Sequence, residues 1–241
     1  SRRLLPLAGV ATLSHTFDTI GWFTKDVADT ATMFQAMTGS RLPEKDANHK
    51  VGRYLSHQSD SVAPETLGVI DDSCAALEAN GVEIVEVEPL PHLESVFEAA
   101  NTILHYDIVR VFAWERTHHL HLISDLVRKM FVNASNIGYD DYLQAQDLLF
   151  TARLAHQEFM AANQLDALLT PSAPGEAPPI KTTGDSVFNR VWTSLGVPAI
   201  HLPVRLGPTG LPVGIQLTGR HWCDKELLAT AAHVESNIIE S

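Results

Sequence analysis

"SVAPETLGVIDDSCAALEANGVEIVEVEPLP", residues 61–91, decides the fold class. Pro64 suits the first turn of a helix, where its missing N–H costs nothing, and Gly81 suits the left-handed stop that ends one. The tail "VEIVEVEPLP" then alternates apolar and acidic residues until Pro89 and Pro91, the period-two pattern of a strand with one wet face. "HKVGRYL", residues 49–55, is a short strand candidate just upstream. Strand, helix, strand is a βαβ unit, so the reading is α/β with a mixed, partly parallel sheet flanked by helices.

Helices account for most of the chain around that unit. Val27, Ala31, Phe34 and Met37 share one helical face, with Thr24 placed to cap the start and Gly39 the end of a helix over residues 25–38. From Leu93 to Arg116 the apolar positions Val96, Ala99, Ile103, Tyr106 and Val109 predict one long helix. Another is expected from Asp140, its cap, to Asn163, facing inward with Tyr142, Ala145, Leu149, Ala152, Phe159 and Ala162. "DALLTP" reads as a short buried strand. The proline-rich "TPSAPGEAPPIKTTGDS" after it must be loop, and a loop of that length marks the first place to expect a pocket wall.

"VPAIHLPVRLGPTGLPVGIQLTG", residues 197–219, is two apolar runs around a Gly- and Pro-rich turn, a hairpin in which Pro203 and Pro212 belong at edge positions or strand starts. Asp224 then caps a closing helix with Leu227, Leu228, Ala231, Ala232 and Val234 inward.

Composition narrows the function classes. The 241 residues are 45% hydrophobic, enough for a substantial core. Seventeen basic against 29 acidic residues give a net charge of -12, which repels nucleic-acid phosphates and anionic lipid. No apolar run reaches the roughly 18 residues of a membrane span, and the opening residues lack a signal-peptide core, so a cytoplasmic location is expected. Cys74 and Cys223 form no C-x-x-C pair and read as reduced structural thiols.

Phosphate-binding glycine motifs and the G-x-S-x-G elbow are absent from the sequence. Glu115, His118, His119 and His121 stand close enough in "ERTHHLHL" for metal-ligand spacing, although no zinc signature accompanies them and a polar helix end explains them as well. Ser14 and Lys25 are a pair from which a nucleophile and its base could be built, against a background of chance proximity. Asp18 and Thr19, before Gly21, either hold a tight turn or touch substrate. Trp192 reads as core packing or as a pocket side chain. Gln216 sits between Ile215 and Leu217 on the opposite strand face, where an amide either meets solvent or contacts a ligand.

Taken together, three segments resemble the C-terminal portion of the amidase signature family of serine amidases. "HTFDTIGWFTKDVADTATMFQAMTG" resembles its Asp-Thr-x-Gly segment and following helix, with Asp18, Thr19, Gly21, Val27 and Asp29 in register; "DALLTPSAP" resembles its D-x-L-L-T-P-x-x-P strand and loop. The run from Phe188 to Glu235 resembles its closing hairpin and helix, including Gly-Leu-Pro-Val-Gly-x-Gln. The resemblance implies the family's fold, truncated on the N-terminal side, with residues 1–241 as one C-terminal portion of a single domain. It implies acyl-enzyme hydrolysis of small carboxamides by two serines and a lysine, without a cofactor, and places Asp18, Thr19, Trp192 and Gln216 near substrate.

None of the family's catalytic residues maps onto this sequence, because its Gly-Gly-Ser-Ser-Gly loop lies upstream of the Asp-Thr-x-Gly segment and no Gly-Gly pair occurs here. The chain alone is therefore expected to be inert toward amides, and to self-associate or dimerise through apolar surface and strand edges left open. Two alternatives stand beside this reading: a truncated relative serving as a binding or scaffold subunit, and a fragment of the A subunit of a tRNA-dependent amidotransferase.

Overall fold

A computed structural model describes residues 1–43 and 49–238. The expected βαβ unit is present: strand β1 (Lys50–Arg53), helix α2 (Pro64–Ala79) and strand β2 (Glu83–Glu86), preceded by helix α1 (Val27–Thr38). The two strands run parallel, Lys50 opposite Glu83 and Arg53 opposite Glu86. Pro64 occupies the first turn of α2, and Thr66, Val69, Ile70, Ser73, Cys74 and Leu77 form its buried stripe. Gly81 takes the left-handed conformation at φ 84°.

Strand β3 (Ala167–Thr170) is buried along its whole length and lies parallel to β1. The hairpin of β4 (Ala199–Leu206) and β5 (Pro212–Thr218) joins antiparallel, giving a five-stranded mixed sheet in the order β2-β1-β3-β5-β4. Pro203 lies on the edge strand and Pro212 opens β5, the two places where a missing N–H interrupts no ladder.

Hydrophobic cores cover both faces of this sheet. Leu169, Ile215 and Leu217 pack on one side with Phe34 of α1, Ile70 of α2, and Leu227 and Val234 of helix α8 (Asp224–Ile238). Leu168 packs on the other with residues of helices α3 (Val96–Val111), α6 (Tyr139–Ala162) and α7 (Val187–Leu195), among them Ile103, Leu149 and Trp192. Burial pushes the Cys74 thiol up to about 12, in keeping with an inert structural cysteine, and Cys223 is also a free thiol.

Several expectations need correction. Asp26, not Thr24, caps α1, its Oδ1 accepting from the Asp29 N–H at 2.8 Å, while the Thr24 hydroxyl bonds the Asp26 carbonyl. The long helix predicted over 93–116 is two, since Phe112 (φ -93°, ψ 22°) ends α3 and redirects the chain into α4 (Ala113–His118), which buries no side chain. Gly138, not Asp140, is the N-cap of α6; the Asp141 carboxylate accepts from its N–H at 2.8 Å. The inward face of α6 continues through His156 and Met160, leaving Ala162 exposed, because steps of three and four residues from Ala145 arrive at those positions.

Candidate functional site

Strand β4 leaves one side of the sheet open, and beside it lies a cavity of about 600 Å³. Its walls are the N-terminal residues, the turn that carries Thr19, the C-terminal end of α7, β4 and the start of α8. The proline-rich loop takes no part. It folds toward the hairpin turn, where the Glu176 carboxylate accepts from the Thr209 and Leu211 backbone N–H groups at 3.0 Å each.

Three of the four candidate residues line the cavity: Thr19, Trp192 and Gln216. Asp18 does not line it. Its Oδ2 instead accepts from the Leu13 N–H at 2.7 Å and the Ser14 N–H at 3.3 Å, which fixes the turn that presents Thr19. Trp192 is 2% exposed, set edge-on to Tyr54 at 6.0 Å between ring centroids, so it belongs to the core and to the cavity wall at once.

Gln216 answers the question its apolar neighbours raise. Its side chain is 5% exposed, on the sheet face opposite Ile215 and Leu217, and Thr170 and His201 flank it in register on β3 and β4. Cross-strand partners share a face, so Thr170, Gln216 and His201 form a polar row across three strands. The Gln216 Nε2, the Trp192 Nε1 and the Thr170 hydroxyl are buried with no hydrogen-bond partner among the described residues. Buried polar atoms without partners are costly, and the two nitrogens belong to residues that line one cavity.

Two other candidates dissolve into local structure. The Ser14 hydroxyl donates to the Asp107 carboxylate at 2.6 Å and is 1% exposed, so it is committed to Asp107 rather than to Lys25. His118 Nδ1 bonds the Trp114 carbonyl at 2.9 Å, and His118 and His119 pack their rings on Trp114. Glu115, His118, His119 and His121 assemble no ligand set, and no group of three or more His, Cys, Asp or Glu side chains among the described residues is arranged to hold a metal ion.

Sequence reasoning missed His201 and His156. The signal for His201 lay in the hairpin itself, because pairing the two runs around "GPTG" sets it opposite Gln216. His156, beneath Trp192 at 5.7 Å between centroids, is fully buried with both ring nitrogens unpartnered among the described residues. Burial, with the nearby His92 ring adding to it, lowers its pKa to about 4.

Comparison with known proteins places this geometry. The family model described as Amidase matches residues 1–228. The A subunit of glutamyl-tRNA(Gln) amidotransferase from Ruegeria sp. (strain TM1040) is 27% identical, the alignment covering 94% of this chain and 56% of that protein. A crystal structure of an amidase superposes with a TM-score of 0.86 at 26% identity, over 98% of this chain and 56% of that one. The peptide amidase of Stenotrophomonas maltophilia shares the fold, with a TM-score of 0.71 at 22% identity over 98% and 56% of the two chains. The chain thus spans about half the length of the relatives it matches. Among the described residues, no helix is long and apolar enough to cross a membrane.

Proposed function

The chain belongs to the amidase family, and from that premise we propose that residues 1–241 are the C-terminal portion of one amidase signature domain whose complete form hydrolyses a small carboxamide. In this reading a serine attacks the amide carbonyl, ammonia or an amine leaves, and water releases the carboxylate from the acyl-enzyme. The nucleophile, its partner serine and the lysine are, in the same reading, supplied from outside residues 1–241, in which no Gly-Gly pair occurs. The chain's own contribution is the sheet and the cavity wall.

One observation carries this reading: Trp192 and Gln216, whose N–H donors are buried without partners among the described residues, both line a mainly apolar cavity beside β4. Donors held in a dry site suit a carbonyl oxygen, and they gain strength as that oxygen becomes negative. The remaining part of the domain docks along the β4 edge in this account. The chain by itself then self-associates, and light scattering that shows a monodisperse monomer contradicts that part.

Expression of the chain together with the coding sequence immediately upstream of Ser1 tests the proposal by release of ammonia or amine from simple carboxamides. Hydrolysis supports it. A folded product that binds partner proteins and hydrolyses no amide supports the scaffold alternative. The amidotransferase reading is favoured by the 27% identical relative and opposed by the net charge of -12; amide hydrolysis that appears only with partner subunits and charged tRNA would establish it.

A further inference from the structure

We infer that Ser172, His201 and the Ile215 carbonyl form a second acyl-transfer centre, carried wholly by this chain and able to hydrolyse short-chain carboxylic esters. The Ser172 Oγ lies 2.8 Å from His201 Nδ1. The same imidazole is hydrogen-bonded to the Ile215 backbone, and a carbonyl there can accept only an N–H. With the Nε2 hydrogen held by that carbonyl, Nδ1 keeps its lone pair toward the serine hydroxyl. This is the arrangement of nucleophile, base and orienting acceptor that activates a serine, with a backbone carbonyl in the place of a carboxylate.

The surroundings hold that arrangement in place. Gly214 lies under the ring, and a Cβ there would come within 2.8 Å of His201 Cε1, so only glycine leaves the ring its seat. The Asn189 side-chain amide donates to the Ser172 carbonyl at 2.9 Å, anchoring the backbone of the nucleophile. Desolvation lowers the His201 pKa, the Ile215 hydrogen bond opposing, a direction that favours the neutral base. His201 also lines the cavity, and Gln216, whose amide Nε2 is buried and unpartnered among the described residues, stands opposite it in register.

The chemistry balances on these groups alone. Ser172 Oγ bonds to the ester carbonyl carbon as its proton passes to His201 Nδ1. The C–O bond to the alcohol then breaks, and the alkoxide takes that proton. Water attacks the acyl-serine with His201 accepting its proton; the carboxylic acid leaves and the proton returns to Ser172 Oγ. The centre does not depend on the amidase reading, since it uses no residue outside this chain.

The test is incubation of the 241-residue chain with p-nitrophenyl acetate. The expected result is a burst of about one p-nitrophenolate per chain, with acetate on the peptide that contains Ser172 by mass spectrometry. His201→Gln should slow acetylation by roughly a hundredfold or more, Ser172→Ala should abolish the label, and both variants should keep the wild-type circular dichroism spectrum. The wild-type rate should rise with pH to a plateau whose midpoint lies below that of an ordinary histidine. A folded wild-type chain with unlabelled Ser172, or labelling unaffected by His201→Gln, overturns the inference and leaves the pair as a tie between loop and hairpin.

Discussion

Glu176 holds Thr209 twice: its carboxylate accepts from the Thr209 hydroxyl at 2.6 Å and from the Thr209 backbone N–H at 3.0 Å. Through this contact the proline-rich loop is fastened to the hairpin turn, which in turn sets the register of His201 against Gln216. The Thr209 hydroxyl is the chief reason that the Glu176 carboxyl lies below the usual carboxylate range, with backbone N–H groups of the turn adding to it. A carboxyl depressed in the folded state stabilises the fold above its unfolded pKa and loses that contribution as pH falls through the folded value. Glu176→Gln should therefore be less stable than wild type at pH 7, and the gap should close in acid. Chemical denaturation at a series of pH values checks this; a gap independent of pH contradicts it.

His156 has the same dependence for a different reason. Its pKa falls from 6.5 to about 4 because burial disfavours the imidazolium. Below about pH 6.5 the unfolded chain takes up a proton that the native chain refuses, so stability declines down to about pH 4 and then levels off, by roughly 3 kcal/mol in all. His156→Leu should flatten that decline in melts recorded between pH 8 and pH 4. An equally steep decline in the variant would show that the native state already protonates this ring.

Gln216→Leu separates function from structure. The amide Nε2 is buried without a partner among the described residues, so its removal should change stability by less than about 1 kcal/mol. In the complete enzyme the same substitution should lower kcat/KM for carboxamides by tenfold or more, because it removes the donor proposed to meet the reacting oxygen. Equal losses of activity and stability would make Gln216 a structural residue only.

Gly214→Ala tests the hairpin. A Cβ at this position would fall on the Leu202 carbonyl and within 2.8 Å of the His201 ring, and a backbone atom cannot yield as a side chain can. The expected loss is about 3 kcal/mol or more, read from denaturation midpoints at unchanged slope. A loss under about 0.5 kcal/mol would contradict the close approach of β4 and β5 at this point.

The elements that were legible in the sequence are those specified by neighbours along the chain. Pro64 and Gly81 bound α2, the alternation after Gly81 makes β2, and the turn between Leu206 and Pro212 makes the hairpin. What escaped depends on contacts between distant segments. The split at Phe112 is invisible because apolar residues continue past it, although the chain turns there and α4 no longer meets the core. The proline-rich loop reads as a pocket wall, and only the bond from Glu176 to a residue 33 positions away shows that it faces the hairpin instead. Gln216 is visible as an anomaly, but its row with Thr170 and His201 requires the order of β3, β5 and β4, which local pattern does not supply. His156 escapes notice because a histidine at an inward helical position departs from the apolar stripe used to find that face.

Amide hydrolysis measured on the 241-residue polypeptide, side by side with a longer product that includes the upstream coding sequence, bears most directly on the central claim that this chain supplies the wall of an amidase site and not its nucleophile. Ammonia released from simple carboxamides by the longer product, with none from the 241-residue chain, is the predicted result. Carboxamide turnover by the 241-residue chain alone would contradict it.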